Sequence, residues 1–290
     1  MLSLVLPKGS LEKATLELFD AADLAVRRGS DRDYRAGISD PRVDRVMFLR
    51  PQEIPRYVEE GLFDLGITGR DWITETSAKV ESVCELEYSK ATSNPVRIIL
   101  AVPADHPAQT GAQLPDGVRV STEYPELTRR FFADAGVNAV IVPSYGATEA
   151  KVPDIVDAIV DVTETGSSLR AHGLRILETL LTSRTELIAN PQAYADPEKR
   201  AAMEDIALLL QGAIRARGTV YLMLNVSEGD LSAVLAQLPS MSSPTQTQLA
   251  GGGYALGTVV PKQGVNELIP ALKAAGARDI LELPIAKIVE

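Results

Sequence analysis

Short apolar runs alternate along the chain with longer stretches in which apolar residues recur every third or fourth position. Leu2–Leu6 is apolar and ends in PKGS, after which Leu11, Thr15, Leu18, Phe19 and Ala22 fall on one helical face. DRVMFLR (44–50) and DLGITG (64–69) read as strands, joined by a helix beginning at RPQEIPRYVEEG with Pro51 near its start. The order resumes after residue 95. VRIILAVP (96–103), VRVST (118–122), NAVIV (138–142) and AIVDV (158–162) read as strands, and YPELTRRFFADAG (124–136) as a helix. Alternating strands and helices predict largely parallel α/β sheets. Two runs of similar size predict two lobes with a ligand cleft between them. RILETLL and RTELIAN (175–190) are β-rich and are expected to lead back to the first lobe.

The pattern changes after the turn-forming NPQAYADP (190–197). EKRAAMEDIALLLQGAIRARG (198–218) reads as one amphipathic helix. Then come a strand (TVYLMLNV), a helix (DLSAVLAQL), two strands (TQTQLA and YALGTVV), a helix (VNELIPALKAAG) and a strand (DILELPIAKIV). That order is βαββαβ, a ferredoxin-like plait. The expected domains are a first lobe over 1–95 rejoined by 182–217, a second lobe over 96–181, and a C-terminal domain over 218–290.

Composition narrows the partners. The 290 residues are 45% hydrophobic and 23% charged, which excludes a mostly disordered chain. A formal net charge of −10 leaves no broad basic face for nucleic acid or a membrane surface, so an anionic ligand needs local cations or a divalent metal. With one cysteine and two histidines, the chain has no internal disulfide, thiolate cluster or His-rich zinc site. Cys84, in VESVCELEY, reads as core. MLSLVLPKGSLEKATL lacks the pattern of an export signal, and no run reaches the ~20 apolar residues of a membrane span, so a cytoplasmic protein is expected.

The chemistry concentrates at strand ends. AIVDVTETGSSL (158–169) runs from an apolar strand through Asp161 into a loop of Thr163, Glu164, Thr165, Gly166, Ser167 and Ser168. Such hydroxyls around a glycine can cradle a phosphate, or they can simply cap a strand-to-helix turn. Asp157 and Asp161, four apart, share a face in a strand or a helix; they suit ribose hydroxyls or hydrated Mg2+, or form a solvated acidic edge. Lys8, Arg50 and Arg70 also follow strands, where they are either ligand cations or surface ion-pair partners. Tyr124, ahead of a helix, could stack on a purine or pack at an interface. The residues alone describe a soluble, two-lobed, anion-binding α/β protein with a small accessory domain.

Taken together, LPKGSLEKA (6–14), FLRPQEIPRYVEEGLFDLGITGRD (48–71), STEYPELTRRFF (121–132), EAKVPDIVDAIVDVTETGSSL (149–169) and the tail from VYLMLNV through SMSSPTQTQL to AGARDIL resemble the ATP phosphoribosyltransferases, in their long form with a regulatory C-terminal domain. The resemblance spans nearly the whole chain. Ile155 stands where that signature often has glycine, and Ser168 where it usually has threonine, keeping the hydroxyl.

The resemblance implies a bilobed catalytic core like a type II periplasmic binding protein, plus the ferredoxin-like, ACT-like plait. It implies transfer of the 5-phosphoribosyl group of phosphoribosyl pyrophosphate (PRPP) to N1 of ATP, the first step of histidine biosynthesis. Asp161, Asp157, Arg50 and Lys8 then become catalytic candidates, and Thr163–Ser168 a phosphate loop. Tyr124, Gly69, Arg70 and Asp71 become ATP-site candidates. Mg2+ is expected mainly on the substrate pyrophosphate, with Asp157 and Asp161 as its candidate protein ligands. Histidine is the implied feedback inhibitor, near Asn225, Thr245 and Ala277, although Asn225 stands where some relatives carry aspartate. Dimers and hexamers are the implied oligomers. The competing class is a non-catalytic solute-binding protein of the same bilobed architecture.

Overall fold

A strand apolar on both faces belongs at the centre of a covered sheet, and β1 (Leu2–Pro7) is buried at every position. The computed structural model describes residues 1–30, 33–89, 94–239 and 243–289. The first lobe continues with α1 (Glu12–Ala21), β2 (Val26–Arg27), β3 (Arg35–Ile38) and β4 (Val43–Leu49). It is extended by α2 (Ile54–Glu59), β5 (Leu65–Gly69), α3 (Arg70–Thr76) and β6 (Glu81–Leu86). The second lobe comprises β7 (Val96–Pro103), β8 (Arg119–Thr122), α4 (Pro125–Asp134), β9 (Val140–Pro143), β10 (Ala158–Thr163), α5 (Ser167–Ala171) and β11 (Leu174–Ser183). The chain then returns through β12 (Thr185–Ala189) to α6 (Pro191–Ala195) and α7 (Pro197–Ala216).

Both lobes follow one plan. The first sheet runs β2-β3-β4-β1-β5-β12-β6, and the second β11-β7-β10-β8-β9. In the first, β4, β1 and β5 are parallel and β12 is antiparallel beside β5; in the second, β9, β8 and β10 are parallel and β7 is antiparallel beside β10. Parallel strands aim their carboxyl ends the same way, and in open α/β sheets that edge binds ligands. The second sheet is packed on both faces. Leu100, Val102, Val120, Phe132 and Val160 fill one side, and Ile99, Ala101, Ile159 and Leu169 the other.

Three expectations change. The helix read from Pro51 begins at Ile54, with Pro55 in its first turn, because a bond from the Glu53 N–H to the Arg50 carbonyl (3.0 Å) closes a separate turn. RILETLL does not lead back to the first lobe: β11 pairs with β7, and only β12 crosses over. The last strand, read through IAKIV, is β16 (Arg278–Pro284) and stops at a proline, which cannot donate to a ladder.

The chain divides into two compact units, Met1–Ala207 and Leu208–Glu290. The second contains β13 (Thr219–Val226), α8 (Leu231–Leu235), β14 (Thr245–Gln248), β15 (Tyr254–Pro261), α9 (Val265–Ala274) and β16. The antiparallel order β14-β15-β13-β16 is that of a ferredoxin-like plait. Leu222, Leu224 and Val226 alternate along β13 and pack with Val234, Leu256 and Leu272 in its core. Ser240, Met241 and Ser242 of SMSSPTQTQL lie outside the described residues. No helix among the described residues is long and apolar enough to cross a membrane.

Candidate active site

Between the two lobes of the first unit lies a cleft of about 350 Å3, lined by Gly69, Asp71 and Trp72 on one side and by Val162, Thr163 and Glu164 on another. Tyr124 also lines it. Its ring stacks on Trp72, with centroids 4.4 Å apart and planes 25° apart. Its hydroxyl donates to Asp71 Oδ2 at 2.8 Å, and the Ser183 hydroxyl donates to Asp71 Oδ1 at 2.6 Å. Burial pushes the Tyr124 phenol well above its ordinary value, and the Asp71 charge adds to the rise. Tyr124 therefore stays a neutral donor across the physiological range.

The same wall joins the lobes. Glu75 of α3 accepts from the Glu126 and Leu127 amides at 2.9 and 2.8 Å, capping the first turn of α4 from outside its own chain segment. Arg130 of α4 donates back to the Thr74 carbonyl and to the Ser77 hydroxyl.

The other wall ends at the carboxyl end of β10. Ala158 and Val160 face one core and Ile159 the opposite one, so strand alternation puts Asp161 and Thr163 on the Ile159 face. Burial pushes the Asp161 carboxyl up to about 6; Glu149 and Glu123 add to the rise, and the Val162 N–H and Lys151 oppose it. Gly166, at φ +72°, turns the chain into α5, and its amide donates to the Thr163 hydroxyl at 2.8 Å. The Ser168 hydroxyl donates to Glu149 at 2.5 Å and holds that carboxyl below its usual range. Ser89, beside the crossover into β7, donates to Glu164 at 2.8 Å.

The ATP phosphoribosyltransferase family model matches residues 50–212, and the model of that family's C-terminal domain matches residues 216–287. The chain is 47% identical to the ATP phosphoribosyltransferase of Pelotomaculum thermopropionicum over 99% of both chains. It belongs to the ATP phosphoribosyltransferase family. The enzyme from Solibacter usitatus is also 47% identical, over 100% of this chain and 99% of its own. Among solved structures, an ATP phosphoribosyl transferase (HisG:HisZ) complex from Thermotoga maritima superposes with a TM-score of 0.61 at 27% identity. That match covers 73% of this chain and 97% of the Thermotoga chain.

The family-like residues fall into two groups. Gly69, Asp71, Tyr124, Thr163 and Glu164 line the cleft. Thr165, Gly166, Ser167 and Ser168 continue the same loop, and Asp161 stands at its base. The others lie apart. Asp157 precedes β10 and forms an exposed ion pair with Arg119 at 2.7 Å, so it and Asp161 are not a pair of carboxylates at one site. The Arg70 guanidinium is turned onto Glu186 at 2.7 Å rather than into the cleft, and the Ser82 hydroxyl donates to the same Glu186 oxygen. Lys8 Nζ lies 4.0 Å from the centroid of the Tyr34 ring, and Arg50 is exposed at the end of β4.

In the C-terminal unit, Asn225 lies on β13 and donates to Asp279 at 3.0 Å, beside buried Ala277. Thr245 begins β14, the opposite edge strand of that sheet from β16, so the three are not brought together within one chain. Reasoning from sequence passed over Trp72, Glu75, Lys151 and Arg184. Trp72 had a signal in being the chain's single tryptophan, directly after GITGRD. Arg184 lines the cleft and reaches Glu85 and Glu87, each at 3.5 Å.

Proposed function

We propose that the chain catalyses phosphoribosyl transfer from PRPP to N1 of ATP, releasing pyrophosphate and N1-(5-phospho-β-D-ribosyl)-ATP. The observation that carries this reading is an end-to-end family likeness in a chain whose cleft joins the Thr163–Glu164 loop to the Asp71–Tyr124 wall. Adenine N1 carries a free lone pair, which forms the new bond to ribose C1 as the electron pair of the C1–O bond leaves with pyrophosphate. No strong base is needed. The barrier is the positioning of two polyanions and the charge that develops on the leaving group.

The loop Thr163–Ser168 would hold the ribose 5-phosphate through its hydroxyls and backbone amides. Asp161 would accept from the ribose hydroxyls. Tyr124 and Trp72 would wall the adenine, with Asp71 fixing the tyrosine rather than touching phosphate. Lys8 and Arg50 would meet phosphates from the first lobe. Asp157 and Arg70 drop out of direct substrate roles because their partners are Arg119 and Glu186.

No group of three or more His, Cys, Asp or Glu residues converges as a metal site among the described residues. The ion would therefore be held mainly by the substrate diphosphate, where it neutralises charge, with Asp161 the candidate side-chain ligand at this edge. Histidine would act as inhibitor through the C-terminal unit, residues 218–290 in our reading, in a homo-oligomeric cytoplasmic enzyme. In such an assembly Thr245 of one copy need not share a site with its own Asn225 and Ala277.

The test is an assay with ATP, PRPP, Mg2+ and pyrophosphatase, run with and without histidine. Product that histidine suppresses is expected. Turnover indifferent to histidine would remove the regulatory role. Tight binding of nucleotide or PRPP with no turnover would favour a non-catalytic binding protein.

A further inference from the structure

We propose that Lys151 is the second-lobe cation that grips the diphosphate of the phosphoribosyl donor. The inference deepens the phosphoribosyl-transfer reading and rests on it. Lys151 lies between Glu149 and β10 in a segment that Gly146 (φ +121°) and Ala147 (φ +49°) fold tightly against the strand ends. Its ammonium donates to the Ser144 hydroxyl at 2.6 Å and to the Ser121 hydroxyl at 3.4 Å. Both serines are buried. Ser144 is held in turn by a 2.8 Å hydrogen bond shared with Thr148. The lysine is thus aimed by fixed hydroxyls rather than left free on the surface.

Its donors and its charge are both incompletely used. An ammonium has three N–H donors, and two are engaged here. No carboxylate lies within ion-pair distance of it among the described residues, although its charge reaches Asp161. A half-buried ammonium hydrogen-bonded only to neutral hydroxyls, with Asp161 acting on it only from beyond ion-pair distance, is an unfinished electrostatic arrangement, and a ligand anion completes it.

Position selects which anion. The second sheet runs β11-β7-β10-β8-β9. The Thr163–Ser168 loop leads into α5, which packs over β11, where a side chain at Gly166 would meet Ile176. Lys151 is bound on the other side, to Ser121 of β8 and to Ser144 directly after β9. Asp161, on β10, stands between them. Neighbouring strands are about 4.8 Å apart, so loop, carboxylate and lysine form three stations along one edge. PRPP carries its 5-phosphate and its diphosphate at opposite ends of the ribose. With the 5-phosphate on the loop and the ribose hydroxyls on Asp161, the diphosphate falls to Lys151.

The experiment compares two ligands by titration calorimetry on the full chain: PRPP with Mg2+, and ribose 5-phosphate, which lacks the diphosphate. Lys151→Met is expected to weaken PRPP binding about tenfold to a hundredfold, the range for one lost charge-assisted hydrogen bond. Its ribose 5-phosphate affinity should be unchanged, and Lys151→Arg should recover most of the PRPP affinity. Ser144→Ala, which keeps the charge but loosens its aim, should show the same selectivity with a smaller effect. Equal weakening of both ligands would make Lys151 a structural residue and overturn the assignment. Unchanged PRPP affinity in Lys151→Met would overturn it too, while leaving phosphoribosyl transfer standing. Failure of the wild-type chain to bind PRPP would overturn the transfer reading itself, and this inference with it.

Discussion

Where α3 meets α4, polar groups are already paired within the protein: both oxygens of Glu75 accept helix amides, and both oxygens of Asp71 accept hydroxyls. At the carboxyl ends of β8 and β10 the arrangement is different. Lys151 touches only hydroxyls, Asp161 accepts from its own neighbour's amide, and the Thr165 hydroxyl donates to Ser167 within the loop. The first region is complete before any ligand arrives. The second has donors, acceptors and charge in hand. Internally satisfied groups set the geometry of a cleft, whereas incompletely satisfied ones are available to bind and to stabilise developing charge. The difference separates framework from chemistry within a single site.

The largest expected effect lies in the incomplete region. Asp161→Asn should lower kcat at least about a hundredfold, as loss of a charge aligned with the reacting centre does. The same variant should be more stable than its parent at neutral pH. With the folded pKa raised to about 6, the native chain holds this proton more tightly than the unfolded chain. Its contribution to stability is therefore present at low pH and lost as pH rises through about 6. Melting temperatures of parent and variant should converge near about pH 4 and diverge, with the variant higher, by about pH 8. Catalysis by the ionised carboxylate also places an acid limb near pH 6 in the parent's kcat/KM profile. A variant that is less stable as well as inactive would move Asp161 into the framework.

Glu75→Gln tests the complete region. An amide offers one acceptor where the carboxylate offers two, so one α4 amide loses its partner. The expected cost is about 1–2 kcal/mol in denaturant unfolding. At a temperature where the chain stays folded, kcat should fall far less than in Asp161→Asn. If turnover instead collapsed while stability held, the α3–α4 contact would be part of the chemistry and the comparison would fail.

Most of this framework was legible in the sequence because its signals are local. Buried strands such as Leu2–Pro7 and Val96–Pro103 read directly as apolar runs, and α4 and α7 as helical periodicity. The short strands β2 and β3 are partly exposed and carry no such run, and β11 is rich in Leu, Ile and Thr as β12 is, although it pairs in the other lobe. At the site, strand-end position marked Asp161 and the hydroxyl loop. Position cannot say where a long side chain turns: Arg70 follows a strand as Lys8 does, yet it turns back onto Glu186, which is 1% exposed. Nor does local sequence reveal a cap supplied across lobes by Glu75, or a lysine aimed by one serine in β8 and another just after β9.

Asp157 makes the smallest prediction and the sharpest control, because it sits on the same strand system as Asp161. Four residues of extended chain separate the two by about 13 Å, enough to put one at the ligand edge and the other at the opposite end. Asp157 is held by Arg119, whose backbone amide and guanidinium both donate to it, and this pairing lowers its carboxyl below the usual range. Both side chains are nearly half exposed, at 47% and 46%, so solvent screens the pair and its loss should leave stability nearly unchanged. Asp157→Asn should therefore leave kcat and both substrate KM values within about twofold of the parent. A large kinetic loss there would mean that substrate reaches the amino end of β10. The division between the two ends of that strand, on which Asp161 and Lys151 both depend, would then be wrong.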